Sequence, residues 1–332
     1  MSLLWSRSPL RALLRWLLLA AGGVLVVFHL SSETFLRKTF LGFDTFIEVE
    51  LPRRDASLFS EIALLVHRYN SLWNRFSPQS SIARINHTSN SWVPLDAETF
   101  HLLEEAFALS EKTKGMFCPL IGGLMDLWGF SGKPHVPDPQ DLERELKNIR
   151  ESTIMFDRKE KAVLRKGEAK LDLGGIAKGY FVDLLVRFLR ERNVESFLIN
   201  AGGTVFGSGK VWRVGILHPR REGLLGRVRI RDLCVSTSAD YFRFFEENGR
   251  RYHHILNPRN GYPGETFISV TVVAPQGTLA DVLSTVIMAG DEAFLSHILE
   301  EFPEVAVLAV RKDGSVFLSP KMRELFEATH ET

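Results

Sequence analysis

The stretch LDLGGIAKGYFVDLLVRFL, residues 171–189, decides how the chain is read. Asp172, Gly174 and Gly175 come first, and an apolar-periodic run follows. Ile176, Tyr180, Leu184 and Phe188 form one i, i+4 stripe, and Ala177, Phe181, Leu185 and Leu189 form its neighbour. That spacing predicts a helix buried along a broad face. Its start offers unpaired N–H groups and a positive dipole end, the glycines let a ligand approach the backbone, and Lys178 adds a charge. Asp172 is awkward in such a phosphate cradle unless it meets a metal or a base edge. The spacing is not that of a P-loop, which needs a longer loop and a Ser or Thr after the lysine. On local pattern a tight turn with a solvated lysine stands equally.

Working outward, TFIEVEL (45–51) alternates as a strand and ASLFSEIALLVHRYNSLWNRF (56–76) has amphipathic-helix spacing. FSPQSSIARIN (76–86) reads as a turn-rich loop, and AETFHLLEEAFALSEKTKG (97–115) as a helix stopped at Gly115. GKPHVPDPQ (132–140), with its prolines, is the clearest loop. SFLIN (196–200), VWRVGIL (211–217) and FISVTVVAP (267–275) read as strands, and TLADVLSTVIMAG (278–290) as a helix. VAVLAVRKDGSVFLS (305–319) reads as a hairpin turning at Asp313-Gly314. Strands and helices alternate irregularly, which predicts an α+β fold of mixed or antiparallel sheets with packed helices rather than a doubly wound parallel sheet.

The 332 residues are 45% hydrophobic and 24% charged with a net charge of +1, the balance of a globular protein with a substantial core. No basic excess and no base-stacking motif points to nucleic acid. Arg7, Arg11 and Arg15 precede the apolar run WLLLAAGGVLVVFHL (16–30), the pattern of an export signal. Without a small-x-small cleavage site after it, residues 1–31 read as an uncleaved signal-anchor helix in preference to a cleaved signal peptide. Either puts the rest of the chain, with a domain over 40–325, on the periplasmic face of the cytoplasmic membrane. Cys118 and Cys234 are no disulfide framework and read as independent packed residues.

Chemistry has three further candidate places. Asp281 and Thr285 share a helix face and are hard oxygen ligands suited to Mg²⁺. Taken alone, Asp281 reads as a first-turn acid behind a Thr278 cap. RRYHHILNPRNGYP (250–263) holds two histidines which, on a strand, face opposite ways, so at most one points into any site. INAGGTVFGSG (199–209) and VSTSADY (235–241) offer donors to phosphate or a ring edge, or are hairpin turns.

Together and in order, FSPQSSIARIN, GMFCPLIGGLMDLWGF, LDLGGIAKGYFVD, INAGGTVFGSG, WRVGILHP, VSTSADYFRFF, HHILNPRNGYP and SVTVVAPQGTLADVLSTVIMAG resemble the successive blocks of the ApbE-type flavin transferase family, over about residues 43–290. The resemblance implies an ApbE, T-fold-like architecture and a Mg²⁺-dependent FAD:protein FMN transferase. Such an enzyme cleaves FAD, joins FMN to a Thr or Ser of an exported redox protein in a membrane electron-transfer complex, and releases AMP. Some members instead hydrolyse FAD to FMN and AMP; a non-catalytic flavin binder is a third reading. The resemblance further implies that Gly175, Asp281 and Thr285 hold the metal and that His254 takes the proton of the attacking hydroxyl. It also implies that Phe43, Phe76, Met116, Phe117, Cys118, Asp172, Lys178 and Ile255 contact FAD. The chain departs from the family pattern at Cys118 and Asn257, where carboxylates are common, and at Ala239, where glycine is.

Overall fold

The computed structural model describes residues 34–329 and the backbone of 24–27. In chain order the elements are β1 (Val24–Val27), β2 (Phe35–Gly42), β3 (Thr45–Pro52), α1 (Leu58–Trp73), α2 (Ser81–His87), β4 (Trp92–Pro94) and α3 (Ala97–Lys112). Then come α4 (Gly122–Leu127), α5 (Pro139–Glu151), β5 (Thr153–Asp157), β6 (Ala162–Lys166), α6 (Ala177–Glu191), β7 (Phe197–Ala201), β8 (Thr204–Ser208) and β9 (Trp212–Leu217). The chain continues through β10 (Leu224–Ile230), β11 (Leu233–Ala239), β12 (Phe244–Glu247), β13 (Arg250–His253), β14 (Phe267–Ala274) and α7 (Gly277–Ala289). It closes with α8 (Glu292–Glu301), β15 (Ala306–Arg311), β16 (Val316–Leu318), α9 (Pro320–Leu325) and β17 (Phe326–Ala328).

An eight-stranded antiparallel sheet, ordered β16-β15-β14-β11-β8-β7-β3-β2, organises the molecule. Period-two alternation sends Phe197, Ile199, Cys234, Val270 and Val272 to one face, where α1, α6 and α7 cover them. Leu198, Val205, Val235 and Val273 go to the other, against Trp212, Val214, Ile216 and Val228 of a four-stranded sheet, β1-β9-β10-β17. Because both faces are covered, every residue of β14 is buried, which is why FISVTVVA is nearly continuously apolar. A third, smaller core of Leu124, Trp128, Phe130, Leu142 and Leu256 packs against Phe245 and Tyr252 of the hairpin β12–β13.

Helices α6 and α7 cross with backbones almost touching. A Cβ on Gly277 would sit 2.6 Å from the Gly179 carbonyl oxygen, and one on Gly179 would sit 2.7 Å from the Gly277 carbonyl carbon. Only glycine at both places permits that approach.

The expected α+β architecture with antiparallel sheets is what the structure has, with three differences. FSPQSSIARIN is not all loop: Ser80 accepts from the Ala83 N–H at 2.9 Å and starts α2. VSTSADY is mostly strand, supplying Val235–Ala239 of β11 with a turn only at Asp240 and Tyr241, because its small hydroxyl residues bond across strands and to α7. The anchor helix expected over 16–30 is met at Val24–Val27 by a strand paired with Trp212–Leu217, as suits a β-favouring VLVV run; the remainder lies outside the described residues. No helix among the described residues is long and apolar enough to cross a membrane.

Candidate active site

The β2–β3 turn, the start of α6, the end of β11, the middle of α7 and the segment after β13 converge on a cavity of about 400 Å³. The turn is two residues, Phe43 and Asp44, closing the Gly42–Thr45 pair with φ of +54° and +55°. For phenylalanine that left-handed backbone is strained. Asn70 Oδ1 accepts the Phe43 N–H at 2.7 Å, and the ring is seated against Phe181 and Trp73 with centroids 4.9 and 5.8 Å away. The conformation is thus fixed from α1 and α6, and it puts Phe43 on the cavity wall.

The glycine loop resolves the puzzle of Asp172. Its Oδ1 accepts the Gly174 N–H at 2.8 Å, and its Oδ2 lies 2.7 Å from Nε of Arg75. The nearly buried Arg75 also reaches Asp126 at 2.7 Å and lies 4.3 Å over the Phe76 ring. Paired in this way, Asp172 no longer presents a bare charge to an anion. The helix start is not an open N–H cradle, however. Ile176 and Ala177 donate to the Leu173 carbonyl, and Gly179 donates to Asp281. Along with Asp172 and Gly174, the loop presents Gly175 and Lys178 to the cavity.

Asp281 is buried, yet its oxygens have several partners. Oδ2 accepts the Gly179 N–H at 3.0 Å and lies 3.4 Å from Lys178 Nζ; Oδ1 lies 3.5 Å from Ser236 Oγ. One turn on, Thr285 Oγ1 donates to the Asp281 carbonyl at 2.9 Å and lies 3.4 Å from Ser238 Oγ, which leaves it one lone pair to offer a cation. Asp281 is not a capping acid, because Asp183 of α6 caps α7, accepting from Gly277 N at 2.6 Å and from Thr278 N at 2.8 Å. A Cβ on Gly175 would stand 3.5 Å from Thr285 Cγ2, so the loop, Asp281 and Thr285 share one corner.

Carboxylate, hydroxyl and loop carbonyl are all hard oxygens. No cluster of three His, Cys, Asp or Glu suited to a metal occurs among the described residues. A sparse oxygen set fits an ion that keeps waters and substrate phosphates, as Mg²⁺ does, and does not fit Zn²⁺. The corner favours positive charge on its own evidence: the Lys178 ammonium spans Asp281 and the Gly174 carbonyl, at 3.4 and 3.1 Å.

The two histidines divide as expected, though not by strand alternation: His253 ends β13 and His254 sits in the bend after it. His253 is buried, accepts from Ile255 N at 3.2 Å and donates to the Gly264 carbonyl at 2.9 Å, so both ring nitrogens are used. His254 lines the cavity. Its Nδ1 lies 3.2 Å from the Arg243 carbonyl, which can only accept, so Nδ1 carries the proton and Nε2 keeps its lone pair. Burial first, then His253 and Arg243, push the His254 pKa down to about 3. The residue as a whole is only half-buried and borders the cavity. The imidazole is therefore neutral at physiological pH and able to accept a proton.

Phe76, Met116, Phe117, Cys118 and Ile255 complete the walls, so every residue expected at the site borders this one cavity. Of the departures, Ala239 and Cys118 line it and Asn257 does not. Asn257 Oδ1 instead accepts the Arg259 N–H at 2.9 Å, a turn-capping task that a carboxylate would perform equally. Burial pushes the Cys118 thiol up to about 11; neither it nor Cys234 is in a disulfide. Sequence reasoning missed Arg75, Asn70, Asp183 and Ser236. Arg75, an arginine directly before the Phe76 turn, left a faint signal; the others act across the fold and left none.

Flat apolar and aromatic walls around a corner of oxygen donors and one lysine make a site for a flat-ringed, phosphate-bearing ligand. The comparisons agree with that class. The model of the ApbE family matches residues 43–309. The chain belongs to the ApbE family. It is 33% identical over 287 residues to the FAD:protein FMN transferase of Klebsiella pneumoniae (strain 342), covering 84% of this chain and 90% of that one. Its identity to the protein of the same name from Treponema pallidum (strain Nichols) is 32% over 281 residues, 77% of each. Among solved structures, the ApbE protein of Thermotoga maritima superposes with a TM-score of 0.82 at 30% identity, covering 88% of this chain and 99% of that one. The flavin transferase ApbE of Vibrio cholerae gives 0.77 at 25%, with the same coverages.

Proposed function

We propose that this chain is a Mg²⁺-dependent FAD:protein FMN transferase whose acceptor is a Thr or Ser hydroxyl of a redox protein. The observation that carries the reading is the meeting, in one cavity, of a neutral histidine with a free Nε2 and the oxygen corner of Asp281, Thr285 and Gly175. FAD lies with its rings against Phe43, Phe76, Met116, Phe117, Cys118 and Ile255, and its diphosphate toward Lys178. Asp281, Thr285 and the Gly175 carbonyl hold Mg²⁺, which when bound supplies charge neutralisation for the diphosphate. His254 Nε2 takes the proton of the acceptor hydroxyl. That oxygen bonds to the phosphorus on the FMN side, the P–O bond to the AMP phosphate breaks, and AMP leaves. Arg75 holds Asp172 and backs Phe76, keeping the loop in place for the ligand.

We further propose that the domain acts on the periplasmic face of the cytoplasmic membrane, carried there by its N-terminal segment, beside a membrane electron-transfer complex. Support is the arginine-then-apolar pattern of that segment.

The test is incubation with FAD and Mg²⁺, with and without a Thr-bearing acceptor protein, following AMP and the acceptor's mass. AMP together with an acceptor heavier by FMN is expected. AMP with an unmodified acceptor would make water the acceptor and the enzyme an FAD pyrophosphatase. Bound FAD without AMP would leave a flavin binder. Asp281→Ala is expected to abolish AMP release, and His254→Ala to slow transfer roughly 10²–10⁴-fold.

A further inference from the structure

The Lys178 ammonium touches the carboxylate that, on the reading above, holds the metal. We infer that Lys178 is an internal counter-cation which occupies the oxygen corner in the ligand-free protein and must leave before a divalent ion can enter; the inference rests on the metal assignment just proposed. Four contacts support it. Lys178 Nζ lies 3.4 Å from Asp281 Oδ2 and donates to the Gly174 carbonyl at 3.1 Å. The same Oδ2 is already engaged by the Gly179 N–H at 3.0 Å, and Oδ1 faces Ser236 Oγ at 3.5 Å. Both Asp281 oxygens thus have protein partners, Oδ1 only the more distant Ser236 hydroxyl, and the ammonium stands beside Oδ2 where a cation would stand.

Mg²⁺ binds oxygen at about 2.0–2.1 Å. An ion at that distance from Oδ2 crowds an ammonium that lies 3.4 Å from the same atom, and the two like charges repel. Lys178 is a flexible four-carbon stem rooted in the first turn of α6, so it can swing out with the helix unmoved. It swings only if another anion takes over its charge, and the diphosphate of an incoming dinucleotide is that anion. Metal and dinucleotide consequently bind as partners: each is weak alone, and the lysine is the physical link between them. Linkage makes the coupling reciprocal. The device also prevents the buried carboxylate from being left uncompensated between turnovers.

The test is Mn²⁺ titration of the full chain, read by electron paramagnetic resonance, with and without ADP as an unreactive diphosphate. In the native chain ADP is expected to tighten Mn²⁺ roughly 5–150-fold. In Lys178→Met, Mn²⁺ alone is expected to bind at least about tenfold tighter than in the native chain, and most of the ADP effect disappears. Lys178→Gln, which keeps a donor for the Gly174 carbonyl and drops the charge, is the second variant should the methionine disturb the loop. Lys170→Met removes the same charge where it pairs with Asp126 outside the cavity lining, and is expected to change nothing. Equal Mn²⁺ affinity in the native chain and both Lys178 variants would overturn the inference, as would an equal gain from Lys170→Met. If Mn²⁺ binds to none of them even with ADP, or binds undiminished in Asp281→Ala, the metal assignment itself fails.

Discussion

Replacing Gly179 by alanine is the most direct probe of the joint on which the site hangs. In an exposed helix interior the change would gain about 1 kcal/mol, because alanine is the better helix former. Here the added Cβ would lie 2.7 Å from the Gly277 carbonyl carbon and 2.8 Å from Asp281 Cβ. Both are far inside van der Waals contact, and neither belongs to the free end of a flexible side chain. Overpacking against well-packed surroundings costs about 1–3 kcal/mol, and backbone against backbone belongs at or above the top of that range. The net expectation is a loss of about 2 kcal/mol, a fall of roughly 3 °C in Tm for a chain of 332 residues. Relief requires α6 and α7 to separate, which lengthens the Gly179–Asp281 hydrogen bond, so activity should fall more than stability explains. The assay is a thermal melt with AMP release measured well below the melt. Gly277→Ala should behave alike, and the double variant should be less damaging than the sum, because one separation relieves both clashes. A Gly179→Ala protein melting within about 1 °C of the native one and fully active would refute the tight crossing.

Acid stability should carry the mark of His254. Its pKa is ordinary, near 6.5, in the unfolded chain and about 3 in the folded one, so between those values the unfolded state binds more protons. Stability is therefore full above pH 6.5 and lost progressively as pH falls toward 3; His254→Gln should flatten a denaturant-melt profile across that window, and an unchanged slope would contradict the burial argument. The transfer rate itself should show no titration of an ordinary histidine near 6.5. Cys118, with its thiol raised to about 11, should resist a thiol reagent at pH 8 in the folded protein and react on unfolding; prompt labelling would mean an accessible thiolate. Asn257→Asp should be near neutral, since either side chain caps the Arg259 N–H, whereas Asn257→Ala should cost about 1 kcal/mol by urea titration.

Elements with a strong period were legible in the sequence. The two stripes on α6 are buried, apart from the partly covered Phe188, and the hairpin does turn at Asp313-Gly314. Elements defined by partners were not. β11, a run of hydroxyl residues, owes its conformation to Thr271, Thr204 and Ser284 on neighbouring elements, and no local pattern announces that. The site divides in the same way. Its residue types were visible through the ordered blocks, because glycine, lysine, histidine and aromatic residues at those positions are chemically distinctive. Invisible were the contacts made at long sequence separation: Arg75 with Asp172, Asp183 beneath α7, and the Gly179 amide on Asp281. Without them Asp281 looked like an ordinary capping acid.

The hydroxyls of Thr204, Ser236, Ser238 and Ser284 run with Asp281 as a buried polar seam between β8, β11 and α7. A chain optimised only to fold would fill that seam with valine and alanine, and such a version should melt higher while doing nothing. Activity and robustness thus compete for the same few cubic ångströms. Stabilising substitutions compatible with function should therefore come from the outer four-stranded sheet and the surface helices, which can be hardened without drying out the interior that the chemistry needs.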